Sequence, residues 1–411
     1  LHVWPQEMAK WSASLDFWIR HVKPLKPQAR TELLYKLGRA DVRRQILLVT
    51  PEIFVGLADD IIKLAKLQNV SLMYDEVGMF KQAGTSRVRA GRRMPAVMRS
   101  VVGMTATAVS DDFAALYAQF LCIDGGKTFG TSQEAFLAAY FNPPPPYREH
   151  APWTIMADGA ERLAKAIEPS TAMLVDRKSE LPTLNYHRIW FDLEPETREA
   201  YEDMAAYGIL LDSRGEVMAE AQNAGVQNII MRSITSGAIY NDAGYIELSN
   251  ERVNLTAGLV DEVLTSDRDR VIVTYELRAD RDRFLDLARD DEHFPAVTTM
   301  NDKCWKQTWQ ERGGVLLMHP KSGGHGLQLE AMCNKVIWMA LPWSRDVFDQ
   351  LIGRVWRFGQ TQEVDCYYVS ATNTVDTHIW ARLEDKAMFE ILLRQHIQHF
   401  VNCADHRHRK A

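Results

Sequence analysis

The sequence has 411 residues, of which 46% are hydrophobic and 25% are charged, and its formal net charge at pH 7 is −6. This length exceeds what one hydrophobic core supports, so we predict two or three domains of ordinary globular composition. No apolar run approaches the ~18–20 residues of a membrane-spanning helix, and no secretory signal pattern is present. Because the chain is acidic, a nucleic-acid partner would require a local basic surface.

The cysteines exclude two further classes of protein. There are five, scattered along the chain without a C-x-x-C spacing. This pattern favours a reducing compartment and argues against a disulfide framework or a structural zinc site. We therefore expect no membrane association and a cytoplasmic location.

The first part of the chain alternates apolar runs with helical patterns. We predict that a helix begins within residues 3–11, and that the polar segment after it, up to Arg44, is irregular. Residues 52–68 repeat apolar side chains at helical spacing. Short apolar runs predict strands at 45–50, 70–74 and 101–104. Strands separated by helices indicate a parallel α/β sheet, whose ligands bind at the carboxyl ends of the strands.

A proline run at residues 143–146 interrupts this alternation, because it is stiff and cannot continue a helix. The chain from there to about residue 250 is rich in helical patterns. Two strands are predicted within it, near 172–175 and 186–191. The α/β alternation then returns, with strands predicted at 271–275, 315–318, 335–341 and 364–369.

Asp75 and Glu76 end one of the predicted strands. A carboxylate in this position can hold Mg²⁺, which prefers one or two carboxylates together with phosphate oxygens. Its neighbour can orient or deprotonate an attacking water. The simpler alternative is the N-cap of a following helix, which the two residues alone do not exclude.

Three later segments have the residue types that bind phosphate. Thr105 and Thr107 follow the strand predicted at 101–104. Residues 318–329 place glycines in a strand-to-helix turn, where backbone N–H groups can approach phosphate oxygens. Within residues 350–360, Arg354 and Arg357 would share one face of a helix and could both reach a phosphoryl group. An ordinary glycine-rich turn and a solvated basic face are the competing interpretations.

These four segments resemble motifs II, III, V and VI of superfamily 2 helicases, in the form typical of Swi/Snf-type ATPases. The match at 350–360 follows the pattern Q-x-x-x-R-x-x-R-x-G-Q. Residues 319–326 and 236–245 are similar to a phage-encoded branch of this family. The chain departs from the family at Val77-Gly78, where Ala-His is frequent, and in having Ser322 and Gln328 in motif V.

The resemblance implies an α/β fold with two RecA-like parallel-sheet lobes, a helical inter-lobe region and an incomplete first lobe. The implied boundaries are 1–141 for the partial lobe 1 with motifs Ib, II and III, 142–250 for the inter-lobe region, and 251–411 for lobe 2. The last range would contain motifs IV, V and VI and a C-terminal helix.

The resemblance also implies an ATP site with bound Mg²⁺. Asp75 would hold the metal, Glu76 would activate water, and Arg354 and Arg357 would stabilise the transferred phosphoryl group. The further residues assigned to the nucleotide are Thr105, Thr107, Gly324, Gly326 and Gln350.

Contacts to DNA are expected to involve the backbone and to be independent of base sequence. By resemblance, Lys321 and Ser322 would face the nucleic acid. Arg87 and Arg92 belong to a local basic cluster at 85–93 that can contact phosphates. A solvated helix face explains the same cluster equally well.

The family requires a Walker A loop before these motifs, and no such loop precedes them in this sequence. Residues 125–128 read Gly-Gly-Lys-Thr, but position 121 is Leu and the string follows a predicted helix. We interpret it as a decoy. The chain therefore resembles a fragment that has lost its first strands and, as such, would be inactive alone.

The predicted function is ATP-driven helicase or translocase activity on DNA, with hydrolysis in the cleft between the lobes. The alternative is a non-catalytic DNA-binding or regulatory protein that has lost its motor function. A third possibility is a split enzyme, in which another chain supplies the Walker A loop. Phage or host replication and recombination proteins are the expected partners, in the cytoplasm of a bacterial host.

Overall fold

A computed structural model of the chain describes Trp4 and residues 18–22, 25–39, 45–105, 113–145, 153–172, 181–212, 214–241, 244–266, 268–323, 327–381 and 383. These residues form two compact units, one within Leu1–Leu174 and the other within Val175–Lys386. The boundaries proposed after residues 141 and 250 remain predictions. In the described ranges no helix is both long and apolar enough to cross a bilayer.

The first unit contains short parallel and antiparallel strand pairs surrounded by helices. Its strands are β1 (Trp18–His21), β2 (Gln45–Leu48), β3 (Ser71–Asp75), β4 (Ser100–Met104), β5 (Phe141–Asn142) and β6 (Thr154–Ile155). Its helices are α1 (Pro27–Arg39), α2 (Pro51–Leu67), α3 (Ser86–Gly91), α4 (Ala115–Asp124), α5 (Gln133–Tyr140) and α6 (Gly159–Ile167). β1 pairs with β2 and β3 with β4, both in parallel, and β5 pairs with β6 in antiparallel orientation.

Helix α2 shows why these elements form where they do. Pro51 occupies its first turn, where the missing N–H costs nothing. Its apolar side chains recur at helical spacing and are buried in the core of the unit. The buried residues are Phe54, Leu57, Ala58, Ile61 and Leu64.

The strands predicted at 45–50, 70–74 and 101–104 are confirmed as β2, β3 and β4. The prediction of an irregular stretch up to Arg44 is wrong, because β1 and α1 lie within it. β1 contains polar residues and has no apolar run, but it pairs with β2 over four residues. Its strand conformation therefore depends on a neighbour that is distant in sequence.

The second unit is built on one parallel sheet. Its strands are β7 (Leu184–Phe191), β8 (Ile209–Leu211), β9 (Val217–Glu220), β10 (Ala238–Asn241), β11 (Gly244–Glu247), β12 (Arg270–Thr274), β13 (Val297–Thr299), β14 (Gly314–Met318), β15 (Lys335–Trp338) and β16 (Val364–Ala371). Its helices are α7 (Pro195–Tyr207), α8 (Ala224–Thr235), α9 (Glu251–Val263), α10 (Arg278–Asp290), α11 (Trp305–Arg312) and α12 (Arg345–Val355).

The order of the six sheet strands is β13-β14-β12-β15-β16-β7, and all neighbours are parallel. β14 is buried along its whole length, as expected of a strand covered on both faces. The α/β fold class is therefore confirmed. The strand predicted at 186–191 is also confirmed as part of β7, which forms one edge of this sheet.

Aromatic rings fill the core on one side of this sheet. Phe348 on α12 stacks on Trp338 with ring centroids 5.0 Å apart and on Tyr368 with centroids 5.9 Å apart. Trp380 packs edge-on against Tyr368 at 5.0 Å. The contacts of Phe348 with Trp338 and Tyr368 hold α12, and with it the segment that follows, against β15 and β16.

Replacing Phe348 by alanine is expected to reduce the free energy of unfolding by about 3–5 kcal/mol, because it leaves a cavity between two large rings. Urea denaturation followed by tryptophan fluorescence measures this change. Phe358→Ala is the matched control, since that ring is 74% exposed and its removal should change stability by less than about 0.5 kcal/mol. Equal losses in the two variants would contradict the packing described for α12.

Candidate functional site

The carboxyl ends of β3 and β4 bring three predicted site residues together. Asp75 is the last residue of β3 and lies opposite Met104 in the parallel register. Glu76 and Thr105 are the next residues on the two strands, and the Thr105 hydroxyl donates to Glu76 Oε1 over 2.5 Å. A hydrogen bond from a hydroxyl to a carboxylate is charge-assisted, so the Thr105 hydroxyl restrains the Glu76 side chain.

The backbone at Glu76 is unusual for a non-glycine residue. Its φ of 65° and ψ of 70° lie in the left-handed region, where a side chain costs energy. Gly78 provides space beside its carboxylate, because a Cβ on Gly78 would lie 3.1 Å from Glu76 Oε1. A Cβ on Gly103, in β4, would instead lie 2.8 Å from Ile123 Cδ1. The departure from the family at Gly78 thus leaves room for the Glu76 carboxylate.

Asp75 is exposed and accepts a hydrogen bond of 2.8 Å from the indole N–H of Trp4. Glu76 occupies the N-cap position of a short 3-10 turn at Val77–Met79, but its side chain makes no capping hydrogen bond to that turn. The bond that the N-cap alternative requires is therefore not made by Glu76. An exposed carboxylate beside a second one suits Mg²⁺, which takes its other ligands from phosphate and water.

The Gly-Gly-Lys-Thr string at residues 125–128 lies directly after helix α4. The carboxylate of Asp124 accepts from the backbone N–H groups of Gly126, Lys127 and Thr128 at 2.8–3.0 Å. It also accepts from the Thr128 hydroxyl at 2.6 Å. The donors that a phosphate would need are therefore already bound by a side chain of the same loop.

In the second unit, Arg354 lies in the last turn of α12 and Arg357 lies beyond the helix. Trp356 ends the helix with φ −99° and ψ 84°, and its indole N–H donates to the Pro182 carbonyl at 2.7 Å. The prediction that both arginines share one helical face is therefore wrong. Gln350, on the same helix, is partly buried.

The segment after α12 is held by Gln360, which is only 8% exposed. Its side-chain amide donates to the carbonyls of Glu330, Cys333 and Val355 at 2.9–3.3 Å. Glu330 in turn lies beside Arg357, with Oε1 4.0 Å from Nε. Glu330 was not predicted as a site residue, and only its position immediately after motif V could have indicated a role.

Lys321 and Ser322 are exposed in a 3-10 turn that follows β14. The ring of His319, at the start of this turn, packs against Tyr275 with centroids 5.7 Å apart. The pKa of His319 is lowered, first by burial and then by the charges of Lys321 and Arg232. Thr107, Gly324 and Gly326 lie outside the described residues.

A second set of charged groups at this end of the sheet was not predicted. Arg232 on α8 lies 3.6 Å from Glu276, and only 10% and 11% of the two side chains are exposed. Burial lowers the pKa of Arg232 and raises that of Glu276. Arg232 also donates to the Leu341 carbonyl, so it connects α8 to the segment that follows β15.

The basic cluster at 85–93 is partly neutralised by acidic residues of α2. Arg87 pairs with Glu52 at 3.1 Å, and Arg93 pairs with Asp59 at 2.6 Å. Arg92 is exposed on the same turn of chain. These contacts are those of a solvated helix face, and they reduce the positive charge that the cluster presents.

No protein-family model matches the sequence. The putative protein p41 of Acyrthosiphon pisum secondary endosymbiont phage 1 is 23% identical over an alignment of 427 positions. That alignment covers 95% of this chain and 84% of the phage protein.

Two further proteins are similar to shorter parts of this chain. The uncharacterized ATP-dependent helicase YqhH of Bacillus subtilis is 35% identical over 138 residues, which are 32% of this chain and 24% of the helicase. The SWI/SNF-related matrix-associated actin-dependent regulator of chromatin subfamily A-like protein 1 of Xenopus laevis is 30% identical over 83 residues, 20% of this chain and 8% of that protein. Each of these two alignments spans less than a quarter of the relative's length.

Replacing Lys321 by alanine is expected to raise the pKa of His319 toward the ordinary value near 6.5, because one of the charges that disfavour the imidazolium is removed. Titration of the ring C–H signals by NMR measures the shift. Lys306→Ala, which removes an exposed lysine of α11, is the control and should leave His319 unchanged. An unaltered pKa in Lys321→Ala would contradict the electrostatic account of this turn.

Proposed function

We propose, on the premise that this chain belongs to the Swi/Snf-type superfamily 2 helicases, that it hydrolyses ATP in order to move along DNA. The proposal rests chiefly on the hydrogen bond between Thr105 and Glu76 beside Asp75. Two carboxylates at a strand end, one of them fixed by a hydroxyl from the neighbouring strand, suit metal-assisted attack of water on a phosphate.

Within this function, Glu76 accepts a proton from the attacking water or orients it. Its left-handed backbone and the Thr105 hydroxyl restrict where the carboxylate can point. Asp75 would hold Mg²⁺, which neutralises charge on the phosphate oxygens when bound. The roles proposed for Thr107, Gly324, Gly326 and Gln350 are contacts to the nucleotide.

Arg354 and Arg357 are proposed to stabilise the charge on the transferred phosphoryl group. A guanidinium remains protonated and offers paired donors to phosphate oxygens. Because α12 ends at Val355, Arg357 lies beyond the helix and does not share a helical face with Arg354. They would therefore bind different oxygens, instead of acting as one basic face.

DNA is the proposed track, contacted through its phosphates. Lys321, Ser322 and Arg92 are exposed and suit this role, whereas Arg87 is engaged with Glu52. Backbone contacts of this kind give affinity without base specificity and weaken with added salt. The similarity to a phage protein makes phage or host replication and recombination proteins the proposed partners, in the bacterial cytoplasm.

The competing function is DNA binding without catalysis. One experiment separates the two, namely ATP turnover by the full-length protein with and without duplex or single-stranded DNA. Turnover stimulated by DNA supports the motor. DNA binding without turnover, at saturating ATP and Mg²⁺, would instead support the non-catalytic alternative.

Glu76→Gln is expected to reduce DNA-stimulated turnover by about 10²–10⁴-fold, because the amide cannot accept the proton of the attacking water. ATP binding should persist, since the variant preserves size and hydrogen-bonding shape. Phosphate release measures the first quantity and equilibrium nucleotide binding the second. Glu161→Gln, an exposed position on α6, is the matched control. Full turnover in Glu76→Gln would remove the role assigned to this residue.

Arg357→Ala in the full-length protein is expected to lower ATP turnover by about 10³-fold or more, because the transition state loses a cation. DNA affinity should change little, and fluorescence anisotropy with labelled duplex measures it. Arg312→Ala, on the exposed part of α11, should retain both properties. A variant that loses DNA binding but keeps its turnover would reverse the assignment.

A further inference from the structure

Glu330 is a mostly buried carboxylate outside every motif of the sequence. Its side chain is 14% exposed, and its Oε2 finds no hydrogen-bond donor among the described residues. The neighbouring cation is Arg357, whose Nε lies 4.0 Å from Oε1. Burying a carboxylate without a partner is costly, so this pairing accounts for the presence of Glu330 in such a place.

The side from which the Glu330 carboxylate approaches Arg357 determines which guanidinium nitrogens remain available to another anion. Glu330 comes closest at Nε, which leaves the two terminal nitrogens of the guanidinium for a second anion. These nitrogens form the planar fork that matches two oxygens of a phosphate. The Arg357 side chain is 40% exposed, so an anion from solution can reach it.

The backbone on both sides of this pair is fixed by one residue. The Gln360 side chain donates to the Glu330 carbonyl at 2.9 Å and the Val355 carbonyl at 3.3 Å, and its N–H donates to the Arg357 carbonyl at 3.0 Å. Gly359 provides the left-handed backbone conformation of this turn, with φ +106°, and a Cβ there would make an ordinary van der Waals contact of 3.6 Å with Glu330 Cγ. Glu330 and Arg357 are thus held at a set separation, although 26 residues of sequence lie between them.

From these contacts we propose that Glu330 is a positioning residue for Arg357. It holds the guanidinium by its Nε side and directs the terminal nitrogens toward the phosphoryl group of ATP. Gln360 fixes the backbone from which both side chains extend. The inference rests on the proposed function for its catalytic consequence, but the pairing itself can be tested without any activity.

The first test is turnover by the full-length protein. Glu330→Gln should reduce kcat by about 10- to 100-fold, because a small displacement of the Arg357 guanidinium from its productive position slows the reaction by about this much. The KM for ATP should remain within about twofold, because a loss confined to the transition state acts on kcat. Glu363→Gln, an exposed glutamate in the same segment, is the matched control and should behave as the unaltered protein does.

The double variant Glu330→Gln/Arg357→Ala should turn over no more slowly than Arg357→Ala alone, because Glu330 acts only through Arg357. A kcat for Glu330→Gln equal to that of Glu363→Gln would overturn the proposal. The proposal would also be overturned if the fold-losses in kcat of the two single variants multiplied in the double variant.

The second test is the urea midpoint of unfolding, which needs no turnover. Arg357→Ala should lower the midpoint, because it leaves a buried carboxylate unpaired. The same substitution should have no such effect in a Glu330→Gln background. Equal effects of Arg357→Ala in the two backgrounds would overturn the pairing. If the unaltered protein has no turnover, the proposed function fails, and this test still decides whether Glu330 holds Arg357.

Discussion

The parallel register of β3 and β4 is the constraint on which the candidate catalytic centre depends. Backbone hydrogen bonds set Asp75 opposite Met104, so the next residue on each strand must emerge at the same edge. Glu76 and Thr105 meet there because the two strands end together, although 28 residues separate them in sequence. A shift of the register by one residue would turn these side chains to the other face and separate them.

Buried guanidinium groups perform a related task in the second unit. Arg252, 2% exposed, donates to the carbonyls of Thr235, Met339 and Val369 and pairs with Asp376. It thereby supplies donors to three buried backbone carbonyl oxygens. Because a guanidinium carries five N–H donors, this one side chain joins the end of α8, the residue after β15, strand β16 and the helical turn that contains Asp376.

Much of the fold could be predicted from the sequence, because long apolar runs specify buried parallel strands. β12, β14 and β16 were predicted for this reason. β1 and β13 are short and contain few apolar residues, so their strand conformation depends on the partner strand.

The candidate site was predictable as a set of residue types, but its geometry was not. The motif segments gave Asp75, Glu76 and Arg357, whereas the end of α12 is set by a hydrogen bond from Trp356 to Pro182, 174 residues away. Glu330 is likewise placed by the hydrogen bond from Gln360 to its carbonyl, and the carboxylate of Asp124 accepts from the turn that follows it. Contacts between residues far apart in sequence leave no periodic pattern by which to find them.

Strand β7 has a practical consequence for dissecting the chain. It pairs with β16 over eight residues, from Leu184 opposite Val364 to Phe191 opposite Ala371, and so belongs to the sheet of the second unit. An expression fragment beginning near residue 250 would lack β7 and leave the full length of β16 as an unprotected sheet edge. Such an edge can recruit strands from other molecules, so the fragment would be prone to aggregate. Recombinant versions of this unit should begin ahead of Leu184.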